Sequence, residues 1–403
     1  MKIIMTTLFG IEAITARELV DLGYSESQIS VSDGQVALDA GVSREDLAQA
    51  VARCNMFLRT AERVLLQVAC FQANQFDQLF DETALLPWEE WLPRKAEILV
   101  KGYSRKSALF GISACQSLIK KAIIKRLVKH YGLEADARIE EDRSQGQIKI
   151  QFGIVNDQVS MMIDTSGDGL HKRGYRPLQH EAPIKETLAA AMLKISRFRP
   201  GSDEALIDPC CGSGTILIEA AMLAARLAPG MNREFSAENW PYIGIRVFDQ
   251  ARDEAFDVIA DKQQPELQIF GSDISSQAVD ITRNNARRAG VSQLISVKTA
   301  DLTKFQTADL SQWTGYQKHL ILCNPPYGER LMDTKQAEAL IASLARLGLD
   351  HGRAKPDCRL SVISPEDAFE RIAGGKADKR RKLYNGMIKC TLYQYFKHKN
   401  TSI

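Results

Sequence analysis

The sequence contains no long apolar run and no obvious targeting segment. No stretch approaches the roughly 18 consecutive apolar residues that a membrane-spanning helix needs. The first residues, MKIIMTTLFGIEA, have neither a long apolar core nor a small-residue cleavage site, so they do not resemble a secretory signal. We therefore expect a cytoplasmic protein with no membrane partner.

Patterns of cysteine and histidine that are typical of metal sites are also missing. None of the six histidines is paired at metal-ligand spacing, and no C-x-x-C pair occurs. The adjacent Cys210 and Cys211 are poor disulfide partners because that bridge strains the backbone. We expect no bound metal and eight reduced core thiols, at positions 54, 70, 115, 210, 211, 323, 358 and 390.

Low-complexity tracts and internal repeats are absent, and the composition is that of a folded protein. The chain has 403 residues, of which 45% are hydrophobic and 25% are charged, and its mean hydropathy is -0.21. These values leave no room for extensive disorder. At about one domain per 100 to 200 residues, the length predicts two or three domains.

Charge is unevenly distributed although the net charge is only +2. Residues 1–90 contain 6 Lys and Arg against 14 Asp and Glu, whereas residues 91–130 contain 10 Lys and Arg against the single acid Glu97. Such a local excess of cations indicates a surface that binds a polyanion. The cations that we expect to contact it are Arg105, Lys106, Lys120, Lys121, Lys125 and Lys129.

The order of predicted elements divides the chain into three regions. Residues 1–63 predict a small α+β unit, with Ser43 as the N-cap of a helix, and residues 64–165 predict a second one. In that second region, a helix from about 113 to 130 has apolar residues on one side and lysines largely on the others. The glycines of Ser166-Gly167-Asp168-Gly169 mark the boundary to residues 166–403.

Helices alternate with apolar strands beyond residue 180, which is typical of an α/β domain with a parallel, helix-covered sheet. The predicted strands are 205–207, 267–272, 295–299, 319–323, 358–363 and 387–395. The predicted helices are 187–195, 214–227, 250–262, 276–289 and 334–349.

A glycine-rich segment, Asp208-Pro209-Cys210-Cys211-Gly212-Ser213-Gly214-Thr215, ends the first of these strands and opens a helix. Glycines there let the backbone approach a ligand closely, at the edge of the sheet where α/β folds bind cofactors. No Lys follows as in a Walker loop, and Leu217 occupies the third glycine position of G-x-G-x-x-G. The segment resembles the D-P-x-C-G-S-G-T loop of class I methyltransferases; the residues expected to bind the cofactor are Asp208, Cys210, Gly212, Gly214 and Thr215.

Two later strand ends add carboxylates to this expected cofactor site. Asp273, which precedes Ile274, can accept both ribose hydroxyls of an adenosyl group. Asp301, which precedes Leu302, is placed to accept the adenine N6 hydrogens, although an N-cap is its structural alternative. The long separation from Asp208 to Asp273 requires an insertion, at about residues 227–264, that contains an extra helix.

The fourth strand ends in Asn324-Pro325-Pro326-Tyr327, the predicted catalytic segment. Two prolines prevent further ladder bonding, so the amide oxygen of Asn324 and the carbonyl of Pro325 can accept both hydrogens of a substrate NH2 group. Tyr327 can stack on a flat base. Such a site catalyses mainly by positioning. Asn324 also borders the cofactor site.

Two further basic segments follow the polyanion pattern. The cluster Lys376 to Lys382, which includes Lys379 and Arg380, precedes the last strand and reads either as a solvated loop or as a phosphate-binding segment. Lys172 and Arg173 raise the same two possibilities.

Across nearly its full length, the chain resembles the bacterial THUMP-containing RNA methyltransferases, specifically the group that methylates guanine N2 in large-subunit (23S) ribosomal RNA. The resemblance implies a class I, Rossmann-like methyltransferase domain (166–403) that uses S-adenosyl-L-methionine, behind a ferredoxin-like segment (1–63) and an RNA-binding THUMP domain (64–165). The segments that carry it are 170–176, 182–190, the Asp208 loop, 324–330 and 383–387.

Several substrates stay compatible with the Asn-Pro-Pro-Tyr motif. A guanine of ribosomal RNA or of transfer RNA, adenine N6 in DNA and a glutamine amide in protein all present a planar NH2 group. A non-enzymatic alternative is an RNA-binding assembly factor with an inert methyltransferase domain. Joining the motif with the basic region 91–130 favours guanine N2 in RNA.

Overall fold

The protein is described by a computed structural model over residues 1–41, 43–134, 137, 139–142, 146–177, 184–260, 266–326, 334–366 and 368–398. The chain divides into two compact units. The first contains residues 1–7, 16–170 and 233–255, and the second contains residues 8–15, 171–232 and 256–403. No described helix has the length and apolarity to cross a membrane.

The first unit is built on a seven-stranded sheet with the order β2-β3-β1-β4-β7-β6-β5. Only β5 and β6 pair in parallel; the other neighbours are antiparallel. In chain order the elements are β1 Lys2–Thr7, α1 Glu12–Asp21, β2 Ile29–Ser32, β3 Gln35–Asp39, α2 Arg44–Phe57, β4 Ala61–Gln72, α3 Phe76–Leu85, α4 Trp88–Trp91, β5 Glu97–Arg105, α5 Ile112–His130, β6 Gln147–Val155 and β7 Gln158–Asp164.

Local sequence accounts for the ends and faces of these elements. Ser43 accepts a hydrogen bond from the backbone N–H of Asp46 at 3.0 Å, which confirms the predicted N-cap of α2. In α5, Ile119, Ile123 and Leu127 are buried as predicted, because residues three or four apart share one face of a helix. Lys121, Lys125 and Lys129 are exposed on the other sides of α5.

The insertion predicted after residue 227 contributes residues 233–255 to the first unit. Arg233 donates to the carbonyl oxygens of Asp168 and Gly169 at 2.7 and 2.9 Å. Arg53 forms a two-pronged ion pair with Glu254, with N–O distances of 2.8 and 2.9 Å. Such planar, charge-assisted pairs fix geometry well. These contacts hold the inserted segment within the first unit.

The second unit is built on a seven-stranded sheet with the order β10-β9-β8-β11-β14-β16-β15. Its neighbours pair in parallel from β10 to β14, and β16 is antiparallel to both β14 and β15. In chain order the elements from residue 184 onward are α6 Glu186–Ile195, β8 Glu204–Asp208, α7 Thr215–Ala224, α8 Ile245–Ala260, β9 Ile269–Asp273, α9 Ser276–Arg288, β10 Ile295–Thr299, α10 Thr307–Thr314, β11 Lys318–Cys323, α11 Thr334–Gly348, β12 Leu349–Asp350, β13 Arg353–Ala354, β14 Cys358–Ser364, α12 Phe369–Ile372, β15 Lys379–Asn385 and β16 Ile388–Tyr395.

One predicted loop is wrong: most of the basic cluster 376–382 forms strand β15. Lysine and arginine do not favour strands, and this segment lacks the apolar alternation that predicts one. The strand forms because β16 supplies its hydrogen-bonding ladder, from Lys379 paired with Gln394 to Asn385 paired with Ile388. As the last strand of the sheet, β15 tolerates charges that also block unwanted edge pairing.

The cysteines are all free, and seven of them are buried or half-buried. Cys70 is exposed, which corrects the expectation that all eight are core thiols. It lies on β4, whose last four residues alternate between exposed and half-buried positions. A strand that faces solvent on one side places alternate side chains there.

Candidate cofactor and substrate site

The Asp208 loop requires its glycines. Gly212 and Gly214 adopt left-handed backbone conformations with φ of +54° and +80°, where other residues are strained. A Cβ atom on Gly214 would lie 2.6 Å from the side chain of Thr282. The loop therefore presses against helix α9, and Thr215 begins α7 directly after it.

Two buried side chains of α9 hold this loop in place. Thr282 donates its hydroxyl hydrogen to the carbonyl oxygen of Gly212 at 2.8 Å, and Asn285 donates its amide to Ser213 at 3.1 Å. Neither side chain is exposed to solvent. Sequence reasoning missed both residues. Their signal was two small polar residues, three apart, on the same helix face as buried Val279 and Ala286.

Asp208 is buried at the start of the loop. Burial raises the pKa of its carboxyl group to about 7, although the backbone N–H of Cys210, 3.2 Å away, acts in the opposite direction. Its carboxyl group thus shapes the first turn of the loop. Its contact with a cofactor stays a prediction, as do those of Cys210 and Thr215.

Asp273 meets the same loop from the neighbouring strand. Its Oδ2 accepts the backbone N–H of Gly212 at 2.9 Å and its Oδ1 accepts that of Ser275 at 3.0 Å. Each carboxylate oxygen has a second acceptor position, so both remain able to bind a hydroxyl group. The adjoining Ile274 is 73% exposed, which leaves an apolar surface beside this carboxylate.

Asp301 follows β10 and caps a short 3-10 turn over residues 302–304. Its Oδ1 accepts both the backbone N–H and the hydroxyl of Thr303, at 2.9 and 2.7 Å. The hydrogen bond from the Thr303 side chain is the main cause that lowers the pKa of Asp301. Asp301 is therefore the N-cap of this turn, as its structural alternative predicted, and the buried Leu302 anchors the turn. Among the described residues, the ion-pair partner of Oδ2 is Lys304, at 3.7 Å.

Asn324 lies at the carboxyl end of β11, directly after buried Cys323. Its Oδ1 is fully shielded from solvent and has no hydrogen-bond partner among the described residues. A buried, unsatisfied amide oxygen is costly and calls for an explanation. Pro325 is buried and Pro326 half-buried. Tyr327, the fourth predicted catalytic residue, lies outside the described residues.

Parallel pairing brings these strand ends to one edge of the second sheet. Asp208 is level with Gly271, Asp273 with Thr299, and Ile321 of β11 with Ile207 of β8. Because the carboxyl ends of parallel strands share an edge, the glycine loop, the two carboxylates and Asn324 form one candidate site.

The segment before the first strand of this unit contributes a buried ionic cluster. Arg176 donates to the Thr215 hydroxyl at 2.9 Å and to Glu186 at 2.9 Å, and Tyr175 donates to Glu219 at 3.2 Å. Arg176 lies in segment 170–176, which carries the family resemblance, but the sequence predicted no role for it. It supports the first turn of α7 from the side.

Arg173 corrects one prediction, because it is only 3% exposed and its Nε lies 3.5 Å from Glu219. A buried guanidinium cannot present itself to an RNA phosphate. Lys120 is also half-buried, and its ammonium lies 2.8 Å from Glu141. The remaining cations that we predicted to contact RNA are exposed: Arg105, Lys106, Lys121, Lys125, Lys129, Lys172, Lys379 and Arg380.

The sheet order, with its one antiparallel strand, and the glycine loop facing Asp273 define a class I, Rossmann-like methyltransferase that uses S-adenosylmethionine. The chain belongs to the family whose model is described as "RMKL-like, methyltransferase domain", which matches residues 173–394. Two other models, "RlmL ferredoxin-like domain" and "THUMP domain", match residues 2–65 and 73–164.

Curated relatives match nearly the whole chain. The Bacillus subtilis protein named "Putative RNA methyltransferase YpsC" is 40% identical over 98% of this chain and 95% of its own length. The Photobacterium profundum "Ribosomal RNA large subunit methyltransferase K/L" is 31% identical over 96% of this chain. The chain spans only 51% of that protein, about half its length.

Solved structures show the same fold over nearly all residues. One is named "predicted N6-adenine-specific DNA methylase" from Listeria monocytogenes, with 38% identity, a TM-score of 0.84 and coverage of 98% of this chain and 96% of its own. Another, "SMU.472, a putative methyltransferase complexed with SAH", has 35% identity, a TM-score of 0.84 and coverage of 99% and 98%. Its bound S-adenosylhomocysteine agrees with the cofactor class.

Proposed function

We propose that this enzyme methylates the exocyclic N2 amino group of a guanine in RNA, and that the RNA is large-subunit ribosomal RNA. The proposal is supported by the THUMP match, by a full-length relative named as an RNA methyltransferase and by relatives named for large-subunit ribosomal RNA. Transfer RNA, DNA adenine and protein glutamine are the competing acceptors.

The buried Oδ1 of Asn324, which has no hydrogen-bond partner among the described residues, is the observation that supports a planar amino group as the acceptor. A planar amino group has two hydrogens, and the Asn324 oxygen together with the Pro325 carbonyl would accept them. This arrangement turns the nitrogen lone pair away from both acceptors. The new N–CH3 bond forms as the S–CH3 bond breaks, and the nitrogen loses one proton to solvent.

The residues present fit S-adenosylmethionine, which supplies an electrophilic methyl group when bound. At Gly212 a Cβ atom would meet no described atom within 4 Å, so the backbone of the loop is open to a ligand at this point. The free acceptor positions of Asp273 suit ribose hydroxyls, and Oδ2 of Asp301 suits an adenine amino group. These three contacts orient the methyl group without requiring a strong base.

The substrate is tested by offering four acceptors to the same enzyme preparation. Labelled S-adenosylmethionine is mixed with ribosomal RNA and transfer RNA from cells that lack the gene, with unmodified duplex DNA, and with total protein. We expect label only in ribosomal RNA, recovered as N2-methylguanosine after digestion. Label in any other pool, or in another nucleoside, contradicts the proposed substrate.

The role of Asn324 is tested with a matched pair of variants. Asn324→Ala removes the amide oxygen, and Asn284→Ala removes an exposed asparagine on α9. We expect at least about a hundredfold loss of kcat for the first, as for loss of one preorganised polar contact in a transition state, and less than a twofold change for the second. Affinity for S-adenosylhomocysteine should stay within about threefold in both. Retained activity in Asn324→Ala would show that Asn324 has no role in catalysis.

A further inference from the structure

The last two strands form a hairpin with a tight, exposed tip. Asn385 pairs with Ile388, so only Gly386 and Met387 form the loop. Gly386 has a φ of +63° and Met387 does not have a positive φ, a pattern typical of a type II′ turn. Two-residue loops of this kind match the twist of the strands that they join.

The hairpin extends past the edge of the sheet that carries Asn324. Cys323 pairs with Val362, so Asn324 is level with Ile363, which pairs with Leu392. The chain continues four residues farther along β16 to Ile388, about 13 Å at 3.3 to 3.4 Å per residue. Because β16 lies two strands from β11, about 10 Å to the side, the tip stands beside the substrate position and above it.

Buried contacts brace the base of the projecting hairpin. Leu383 and Cys390 are at most 1% exposed and belong to the same apolar core as Ile11. Phe9 packs edge-on against Tyr384, with ring centroids 6.0 Å apart. The backbone around Gly10 approaches Lys382 so closely that a Cβ atom there would lie 2.3 Å from its carbonyl oxygen. The base of the hairpin is therefore anchored by buried contacts, whereas its tip is exposed.

The hairpin has apolar residues at its tip and basic residues on its two strands, which we call its stem. Met387 is 97% exposed and the neighbouring Ile388 is 49% exposed. Residues 379–398 include no Asp or Glu. The strand cations alone have a structural explanation, since edge strands use lysine to block pairing. That explanation does not apply to an apolar tip, which favours association. The exposed cations of the stem are Lys379, Arg380, Lys382 and Lys389.

We propose that Met387, supported by Ile388, is a wedge that enters structured RNA beside the target base and holds the base stack open. Cations bind phosphates, and apolar side chains such as Met separate base steps in known nucleic-acid complexes. A base inside a helix cannot reach a pocket at Asn324 unless it is extruded. The wedge rests on the proposed function, because it assigns the opening of the RNA to the same edge of the sheet.

The wedge is tested by chemical probing of ribosomal RNA, from cells that lack the gene, bound to the full-length protein with S-adenosylhomocysteine. Wild-type protein should protect a segment of the RNA and expose at least one base within it to reagents that attack unpaired bases. Met387→Ala should keep the protection and lower that exposure at least fivefold, and Met387→Leu should restore it. Leu85→Ala, a similarly exposed apolar residue on α3, is the control and should match wild type.

Three results overturn the wedge: protection without an exposed base in the wild-type complex, equal exposure in Met387→Ala, or absence of any protection. Methyl transfer to the same RNA, measured in parallel, separates this proposal from the proposed function. If the RNA is opened but never methylated, only the proposed function is contradicted. If Met387→Ala methylates folded RNA as well as wild type does, only the wedge is contradicted.

Discussion

At the scale of single residues, the buried carboxyl group of Asp208 links the cofactor loop to pH. Its pKa in the folded protein is about 7, well above the ordinary value of about 3.9 for aspartate. Below the ordinary value the group is protonated in both states and costs nothing. As the pH rises toward 7, only the unfolded chain releases the proton, so Asp208 progressively lowers the free energy of unfolding. Above pH 7 the cost is constant.

Asp208→Asn removes this titration and keeps an oxygen for the Cys210 N–H. The unfolding free energy of the variant should therefore rise relative to wild type between about pH 4 and pH 7, by at most about 1.4 kcal/mol per pH unit. Melting temperatures measured over this pH range should show the same trend. Above pH 7 the difference should be flat. The transition to follow is the one that S-adenosylhomocysteine shifts. A difference that does not depend on pH contradicts the raised pKa.

Residue types in this site differ in how far the sequence predicts their roles. Gly212 and Gly214 were singled out because glycines let the backbone approach a ligand closely, and Asp273 because a carboxylate at a strand end can accept ribose hydroxyls; their contacts with a cofactor stay predictions. Arg173 was misassigned because a cation in a motif looks the same whether solvent or Glu219 surrounds it. Burial of a charged residue depends on distant partners, which local sequence does not specify.

At the scale of elements, helix α9 positions the cofactor loop through side chains, and this role is testable. Thr282→Val removes the hydrogen bond to the Gly212 carbonyl. The affinity for S-adenosylhomocysteine should fall about fivefold, corresponding to about 1 kcal/mol for one hydrogen bond, as measured by titration calorimetry.

Thr314→Val is the matched control for that substitution. Thr314 is also buried and donates its hydroxyl hydrogen to a helical carbonyl, that of Leu310 at 2.9 Å. The control should lose similar stability and keep full affinity for the ligand. Equal affinity losses in the two variants would show that α9 has no particular link to the loop.

Helix α5 tests the expected RNA surface of the first unit. Lys121 and Lys129 are exposed, and no ion pair is found for them within the described chain. Replacing both with alanine should weaken RNA binding and reduce the slope of log affinity against log salt by about 0.7 to 0.9 per phosphate contact. Filter binding over a salt series measures this.

Arg17→Ala is the control, because it removes a positive charge from the acid-rich part of the chain. Arg17 pairs there with Asp21 at 3.1 Å. Its slope should equal that of wild type. An unchanged slope in the double lysine variant would show that these lysines of α5 do not contact RNA phosphates.

Elements were predictable where periodicity was strong. Strand β10 and the start of α9 lie where the sequence places them, since alternation and capping are local signals. Strand β15 was missed because it owes its conformation to pairing with β16 and not to its own residues. Helix α8 begins at Ile245, five residues before its predicted start at 250. The short helices α4, α10 and α12 were not predicted.

At the scale of the molecule, the order of the strands matters more than any single motif. Asp208, Asp273, Asp301 and Asn324 are far apart in sequence, and only the parallel arrangement brings them to one edge. The sequence predicted that arrangement from the alternation of helices and strands. It could not predict that residues 233–255 belong to the first unit, because their partners are remote along the chain.

Methylation of guanine N2 by this enzyme is best tested on ribosomal RNA taken from cells. A strain that lacks the gene is complemented with wild type or with Asn324→Ala, and its purified large-subunit RNA is digested to nucleosides for mass spectrometry. We predict one N2-methylguanosine per RNA that is lost on deletion, restored by wild type and not restored by Asn324→Ala. Unchanged N2-methylguanosine in the deletion strain, or full restoration by Asn324→Ala, contradicts this prediction.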